Sequence, residues 1–229
     1  EDVRETLAGT PYADAPILPV SSVSGEGLQP LIQALESVGA EAREKESADL
    51  ARLPIDRVFT MKGFGTVITG TLVSGKVSVG DTIMVYPSGI TSKVRGIQVH
   101  NQTAESAEAG MRTAINFQGL DKAAVQRGEV LSVPGGLISS YMVDLSFHYL
   151  AGNKKPLKNR TLVRMHTGTS EVLGHLILLE QEELPPGQTA VAQIRLDAPV
   201  AIVKDDRFVI RSYSPIRTIG GGQVLNPTP

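Results

Sequence analysis

The chain contains no cysteine and no tryptophan in 229 residues, and aromatic side chains make up only 4%. Without cysteine there can be no disulfide framework and no thiolate metal site, and the composition suits a cytoplasmic protein. The four histidines, His100, His148, His166 and His175, show no metal-ligand spacing with one another. No serine sits in a Gly-x-Ser-x-Gly elbow, which leaves a hydrolase without its nucleophile. The Gly-Lys-Ser/Thr loop that grips nucleotide phosphates is absent. No apolar run approaches membrane-spanning length, and no signal peptide opens the chain. Charge of one sign is also missing. With 22 basic and 24 acidic residues the net charge is −2, so no global field gathers nucleic acid, and any RNA contact must rest on local patches.

What is present is aliphatic. Apolar residues make up 41%, so the core must be built from Val, Ile, Leu and Ala, and the length allows two small domains. The chain opens on Glu1 rather than Met, which reads as a piece of something longer. Ala15-Pro16-Ile17-Leu18-Pro19-Val20 reads as a short buried strand. Leu28, Leu31, Ile32 and Leu35 follow at helical spacing after the turn Ser21–Gly27. One strand–loop–helix unit cannot bury its own faces. Residues 36–50 mix Glu36, Glu41, Glu44, Glu46 and Asp49 with Arg43 and Lys45 and carry no apolar stripe, so they read as a connector.

From Leu53 the pattern turns to strands. Segments 58–61, 66–73, 82–86, 93–99, 112–117 and 129–133 are β-rich and bounded by Gly, Pro, Asp or Ser. Pro134-Gly135-Gly136 punctuates the set. A second set covers 141–149, 161–165, 172–179, 188–196, 207–212 and 223–225, with Pro185-Pro186-Gly187 as a turn. Each set suits an antiparallel barrel. Near the end, Thr218-Ile219-Gly220-Gly221-Gly222-Gln223-Val224-Leu225 reads as a strand, a tight glycine kink and a closing strand.

Two motifs carry a family resemblance. Gly63-Phe64-Gly65-Thr66-Val67-Ile68-Thr69-Gly70-Thr71 leads into a strand, not a helix, and so is no dinucleotide loop. With Leu72–Asp81, Ala109–Phe117 and Val125–Leu131 it resembles the second domain of translational GTPases. The segment 165–172, Leu184-Pro185-Pro186-Gly187-Gln188 and the triple-glycine ending resemble their third domain, and the ending resembles that of the selenocysteine-specific elongation factors. The resemblance implies a mainly β chain: two consecutive antiparallel β-barrels preceded by a short α/β remnant of a GTPase domain. The divisions are 1–38 for the remnant, 39–52 for a connector, 53–136 for the first barrel and 137–229 for the second.

It also implies roles. In these factors an Asp-Arg pair and a second Arg of the same barrel hold the selenocysteine side chain, and by motif position they fall on Asp56, Arg57 and Arg112. A selenol is more acidic than a thiol and is an anion at neutral pH, so its recognition calls for the permanent charge and directed donors of arginine. The corner Gly63, Gly65 and Thr66 would hold the aminoacylated tRNA end. Lys154, Lys155, Lys158, Arg160 and Arg164 have no acid within residues 145–170 and would touch tRNA phosphates. Ser21, Ser22 and Val23 would be the remnant of the guanine-recognition turn; taken alone, the loop reads rather as the capped start of a helix. The implied partners are selenocysteinyl-tRNA, the ribosome and, through a C-terminal domain outside the chain, a messenger hairpin, with no membrane. GTP and Mg²⁺ belong to the full-length factor. The chain itself, lacking also the Asn-Lys-x-Asp base reader, should hold neither and should not act as an enzyme. Two rivals stay open at this point: the barrels of another elongation- or initiation-type factor, and a β-barrel binding module unrelated to translation.

Overall fold

The computed structural model describes residues 2–41, 50–61, 65–117 and 124–229. The chain divides into two compact units, Glu1–Glu44 and Lys45–Pro229. In the first, α1 (Asp2–Leu7) precedes α2 (Leu28–Glu41). Leu28, Ile32, Leu35 and Val38 form a stripe along α2, and all four are exposed. The turn before α2 is tight. The Gly25 N–H donates to the Ser21 carbonyl at 2.9 Å and the Ser21 N–H to the Glu26 carbonyl at 3.0 Å. Gly27 has φ +79, and a Cβ there would overlap the Pro19 carbonyl. Residues 15–20 are not a buried strand. They pair with no neighbour, and Ile17 and Val20 are exposed. A strand exists only as part of a ladder, and among the described residues this segment has none.

The second unit holds two barrels. The first comprises β1 (Leu53–Met61), β2 (Gly65–Thr71), β3 (Lys76–Ser78), β4 (Thr82–Tyr86), β5 (Ile90–Val99), β6 (Gln102–Ala104), β7 (Ser106–Glu108), β8 (Arg112–Phe117) and β9 (Val130–Ser132). Its ladder runs β4-β9-β1-β2-β8-β5 and closes through β4–β5, with β6 added at an edge. Leu53, Ile55, Ile68, Leu72, Ile115, Phe117 and Leu131 fill it. The second comprises β10 (Ser139–Tyr149), β11 (Leu157–Lys158), β12 (Thr161–Thr167), β13 (Ser170–Leu178), β14 (Glu183–Leu184), β15 (Thr189–Ala201), β16 (Arg207–Ser212) and β17 (Thr218–Asn226), closed in the order β10-β15-β13-β12-β16-β17. Both lumens are mainly aliphatic, but Phe117 in the first and Phe147 and Phe208 in the second add aromatic bulk that the low aromatic content did not lead one to expect.

Among the described residues the barrels are joined by a small apolar seam, an ion pair and a hydrogen bond from the Thr169 hydroxyl to the Ile55 carbonyl. Tyr86, Leu137 and Ala201 bury together, with Leu50, Met84, Val130 and Val203 against them. Arg52, read from sequence as connector, bridges to Ser74 and grips both oxygens of Asp206 at 2.7 and 3.0 Å. Asp206 also accepts from the Val203 N–H at 3.0 Å. The pair is mostly buried, so losing one member would strand the other in a poorly hydrated place.

The three glycines do not kink the last strand. β17 runs continuously through them, paired on one side with β10 and on the other with β16, and the ladder irregularity with β16 falls at Ile219, before the first glycine. Gly222 lies opposite both Phe147 and Phe208, whose side chains fill the lumen. A Cβ on Gly222 would overlap the Ser146 carbonyl, and one on Gly220 would run into the Phe147 ring. Glycine is needed here for close approach between strands rather than for turning. Gly222→Ala should therefore lower stability by about 1–3 kcal/mol or more. Gly152→Ala, where a Cβ meets nothing within 4 Å, should stay within roughly 0.5 kcal/mol. Urea unfolding of the two variants checks this, and equal midpoints would contradict the packing account.

Candidate functional site

The charged cluster is made by one irregularity in β1. Ile55 lies opposite Gly70 and Arg57 opposite Thr69, leaving Asp56 as an extra residue. Ile55 is fully buried and Val58 packs on the same core. In a regular strand those positions would face opposite ways, because side chains alternate. The bulge absorbs the mismatch and turns both Asp56 and Arg57 outward. Gly70 permits the close pass, since a Cβ there would overlap the Pro54 carbonyl and the Leu53 side chain. The Ile55 carbonyl is held by two donors, the Gly128 N–H at 3.0 Å and the Thr169 hydroxyl of the second barrel at 2.8 Å.

Arg112 starts β8, opposite Thr71 on β2. Its guanidinium reaches across β2 to Asp56 and forms a two-pronged ion pair: Nη1 donates to Oδ2, and Nη2 to Oδ1 at 3.0 Å. Thr69 donates its hydroxyl to Asp56 Oδ1 at 2.8 Å. The Arg112 hydrogen bond, reinforced by the Thr69 hydroxyl and by the charges of Arg112 and Arg57, holds the Asp56 carboxyl below its usual range against a smaller opposing effect of burial. Asp56 in turn holds Arg112 in its charged form. The cluster sums to one net positive charge, since Asp56 offsets Arg112 and Arg57 has no ion-pair partner among the described residues.

A cavity of about 320 Å³ adjoins the cluster on the outer face of the barrel, at the small end of ligand pockets. Met61, Val67 and Ala114 give it apolar walls, and Arg95, Gln98 and Asn116 give it polar ones. Ala114 lies directly opposite Thr69, and Val67 is two residues from it on β2, about 7 Å along a strand. Cavity and cluster are therefore neighbours on one surface. Gly65, with φ +83, and the buried Thr66 start β2 just ahead of the cavity-lining Val67. Gly63 lies outside the described residues.

Lys154, Lys155, Lys158 and Arg160 gather around β11 and the turn into β12, beside β14. Pairing puts Glu183 opposite Lys158, so acids remote in sequence enter that patch. Arg164 sits further along β12, bonded to Glu171 at 2.6 Å and stacked 5.3 Å from the Tyr213 ring centre. Ser21, Ser22 and Val23 lie in the separate first unit, with Val23 fully exposed. Sequence reasoning missed Thr69, Arg95, Gln98 and Arg127. Arg127 lines an open cavity with Asp56 and Arg57, and another with His166, Thr169 and Arg211. Burial lowers the His166 value, and the Arg211 and Arg164 charges lower it further against an opposing Glu171. These residues are far apart in sequence, and only the ladder reveals their meeting. Among the described residues no cluster of His, Asp or Glu could hold a metal ion, and no helix is long and apolar enough to cross a membrane.

Comparisons with known proteins point one way. The model of the family described as "Selenocysteine-specific elongation factor, beta-barrel domain" matches residues 145–229, and that of "Elongation factor Tu domain 2" matches residues 65–132. The chain is 46% identical over 227 residues to the selenocysteine-specific elongation factor of Desulfomicrobium baculatum, covering 99% of this chain and 36% of that protein. With the protein of the same name from Escherichia coli it shares 33% over 230 residues, covering 98% and 35%. The chain thus spans about a third of the length of the curated relatives it matches. Its fold resembles the apo form of translation elongation factor SelB from Methanococcus maripaludis, with a TM-score of 0.86 at 24% identity over 100% of this chain and 54% of that one. It also resembles a bacterial selenocysteine-specific elongation factor, EF-Sec, with a TM-score of 0.77 at 26% identity over 90% and 33%.

The cluster's electrostatics have a measurable sign. The folded Asp56 value lies below the unfolded one. Its pairing therefore stabilises the fold above the ordinary carboxylate range, about pH 4, and is lost as pH falls through the lowered folded value. Asp56→Asn should cost about 1 kcal/mol or less at neutral pH, because the pair is partly solvated. The gap to the unaltered chain should narrow as the solution is acidified toward pH 3. Urea midpoints at both pH values check this, and a gap that is constant or grows in acid would contradict the pairing account.

Proposed function

This chain belongs to the selenocysteine-specific elongation factor family, and on that footing we propose that its first barrel receives the aminoacylated 3′ end of selenocysteinyl-tRNA. The arrangement that supports this most directly is the strand register, which sets the Asp56–Arg57–Arg112 cluster about two residues from the cavity-lining Val67 and Ala114. A terminal nucleoside fits a small cavity with apolar walls, where the Arg95 guanidinium offers a stacking plane and Gln98 and Asn116 offer edge contacts. The esterified amino acid then lies within one or two strand residues of the charged cluster. Its selenolate meets Arg57 and the N–H groups of Arg112 that Asp56 leaves unused.

The single net positive charge is matched to a single anion. Serine brings a neutral hydroxyl, which cannot offset guanidinium groups as water is expelled, and so loses relative affinity. The remainder of the acceptor arm would run past Arg127 and Arg211 toward the second barrel, with Lys154, Lys155, Lys158 and Arg160 as further phosphate contacts. The matching second-domain model is described for elongation factor Tu, so this reading assigns selectivity to individual residues such as Asp56, Arg57 and Arg112 rather than to the barrel as such.

In the full-length factor this fits delivery of selenocysteinyl-tRNA to the ribosome in a GTP-bound state in the cytoplasm, with a messenger hairpin read by a further domain. Residues 1–38 would close its GTPase domain, with Ser21, Ser22 and Val23 at the base-contacting turn. The groups that grip the GTP phosphates would lie elsewhere in the full-length factor. The sequence lacks a phosphate-gripping loop, and among the described residues none cluster as a metal site.

In the full-length factor, Arg112→Ala and Arg57→Ala should each weaken selenocysteinyl-tRNA binding by about 2 kcal/mol or more, roughly thirtyfold. Seryl-tRNA should change little. The measurement is the ratio of the two affinities at fixed salt. Equal losses for both tRNAs would place these arginines on the RNA backbone or in barrel stability and overturn the reading.

A further inference from the structure

We propose that Thr69 is a positioning residue of this pocket, whose hydroxyl fixes the Asp56 carboxylate and through it the plane of the Arg112 guanidinium. The proposal rests on the pocket reading above and deepens it.

Asp56 is the bulged residue of β1 and has no partner in the ladder. Its side chain can swing about two torsions unless something outside the backbone holds it. Arg112 cannot serve alone. Its side chain is 50% exposed, has four torsions of its own, and a pair of two mobile groups at a surface contributes little order. Thr69 supplies the missing fixed point. It lies opposite Arg57 in the β1–β2 register and is paired on its other side with Ala114 of β8. Its backbone is therefore tied on both edges. Branching at Cβ restricts its χ1, so its hydroxyl is presented from a rigid site. It donates to Oδ1 of Asp56 at 2.8 Å, the same oxygen that accepts from Arg112 Nη2 at 3.0 Å.

The order of constraint runs from the ladder to Thr69, to Asp56, to Arg112. A fork bound through both terminal nitrogens has one orientation, and its unused N–H groups face a defined direction. That preorganisation favours an anion of fixed position over one that must gather a moving cation. Strand formation alone does not call for a hydroxyl here, since valine has the same shape and at least equal strand preference.

The test uses Thr69→Val and Thr69→Ser in the full-length factor, with selenocysteinyl-tRNA and seryl-tRNA as probes and Arg112→Ala alongside. Thr69→Val should weaken selenocysteinyl-tRNA about tenfold, the scale of one hydrogen bond to a charged group. It should shift seryl-tRNA by less than about twofold and lower the melting temperature by no more than Asp56→Asn does. Thr69→Ser keeps the donor and should recover most of the loss. Full binding by Thr69→Val, equal losses for both tRNAs, or a serine variant as weak as the valine one would each overturn the proposal. The two ideas fail separately. If Arg112→Ala keeps the full preference for selenocysteinyl-tRNA, the pocket reading itself falls. If Arg112→Ala loses that preference while Thr69→Val keeps it, only the role of Thr69 falls.

Discussion

The site depends on one extra residue in a strand. Leu53, Ile55 and Val58 all belong to the first core, yet the step from 55 to 58 breaks the alternation that a strand imposes. The bulge at Asp56 resolves that conflict, and two adjacent charged side chains face outward as a consequence. A regular β1 would turn Arg57 into an aliphatic lumen, where an unpaired guanidinium is untenable. The same core packing that stabilises the barrel therefore enforces the polarity of its outer face. On the proposed reading, strand irregularity and chemical function are one feature, as is common for bulges near sites.

That bulge is held from two directions. Within its own barrel, the Gly128 N–H binds the Ile55 carbonyl; from the second barrel, Thr169 binds the same oxygen. The second barrel is itself anchored through Arg52 and Asp206 and through the small seam around Tyr86 and Leu137. Geometry at the pocket is thus coupled to how the barrels meet, by short hydrogen bonds rather than by a large apolar interface. A mostly buried ion pair contributes modest net stability but strong geometric selectivity, because misalignment leaves charge unpaired. Such a joint suits the proposed role, in which both barrels present one continuous surface to a tRNA arm.

Much of the architecture was legible in the sequence, and the failures have physical causes. Apolar alternation and Gly/Pro punctuation located the main strands of both barrels. The short strands β3, β6, β7, β11 and β14 escaped, since two or three residues carry no period. The triple glycine read as a kink because glycine permits turning; the need for it comes from Phe147 and Phe208, which lie far away in sequence. Residues 15–20 had a strand's composition without a strand's partner. At the site, motif position brought forward Asp56, Arg57 and Arg112, and the ladder does join Asp56 to Arg112. The apolar step of three from Ile55 to Val58 was the available sign of the bulge. Thr69, Arg95, Gln98 and Arg127 had no local signal, because what distinguishes them is a neighbour across strands. The basic run from Lys154 to Arg160 looked free of acids until β14 supplied Glu183 across from Lys158.

The central claim is that fixed guanidinium charge on the first barrel recognises an anionic side chain. The most direct test charges one tRNA with either selenocysteine or cysteine and measures the affinity of the full-length factor as pH is raised. Selenocysteine is already ionised near neutrality, whereas the cysteine thiol ionises around pH 8.5. The cysteinyl form should bind weakly at pH 7 and gain affinity through the thiol range, closing on a selenocysteinyl form whose affinity stays flat. Two curves that run parallel across that range would mean that charge is not what the pocket reads, and the account would be contradicted.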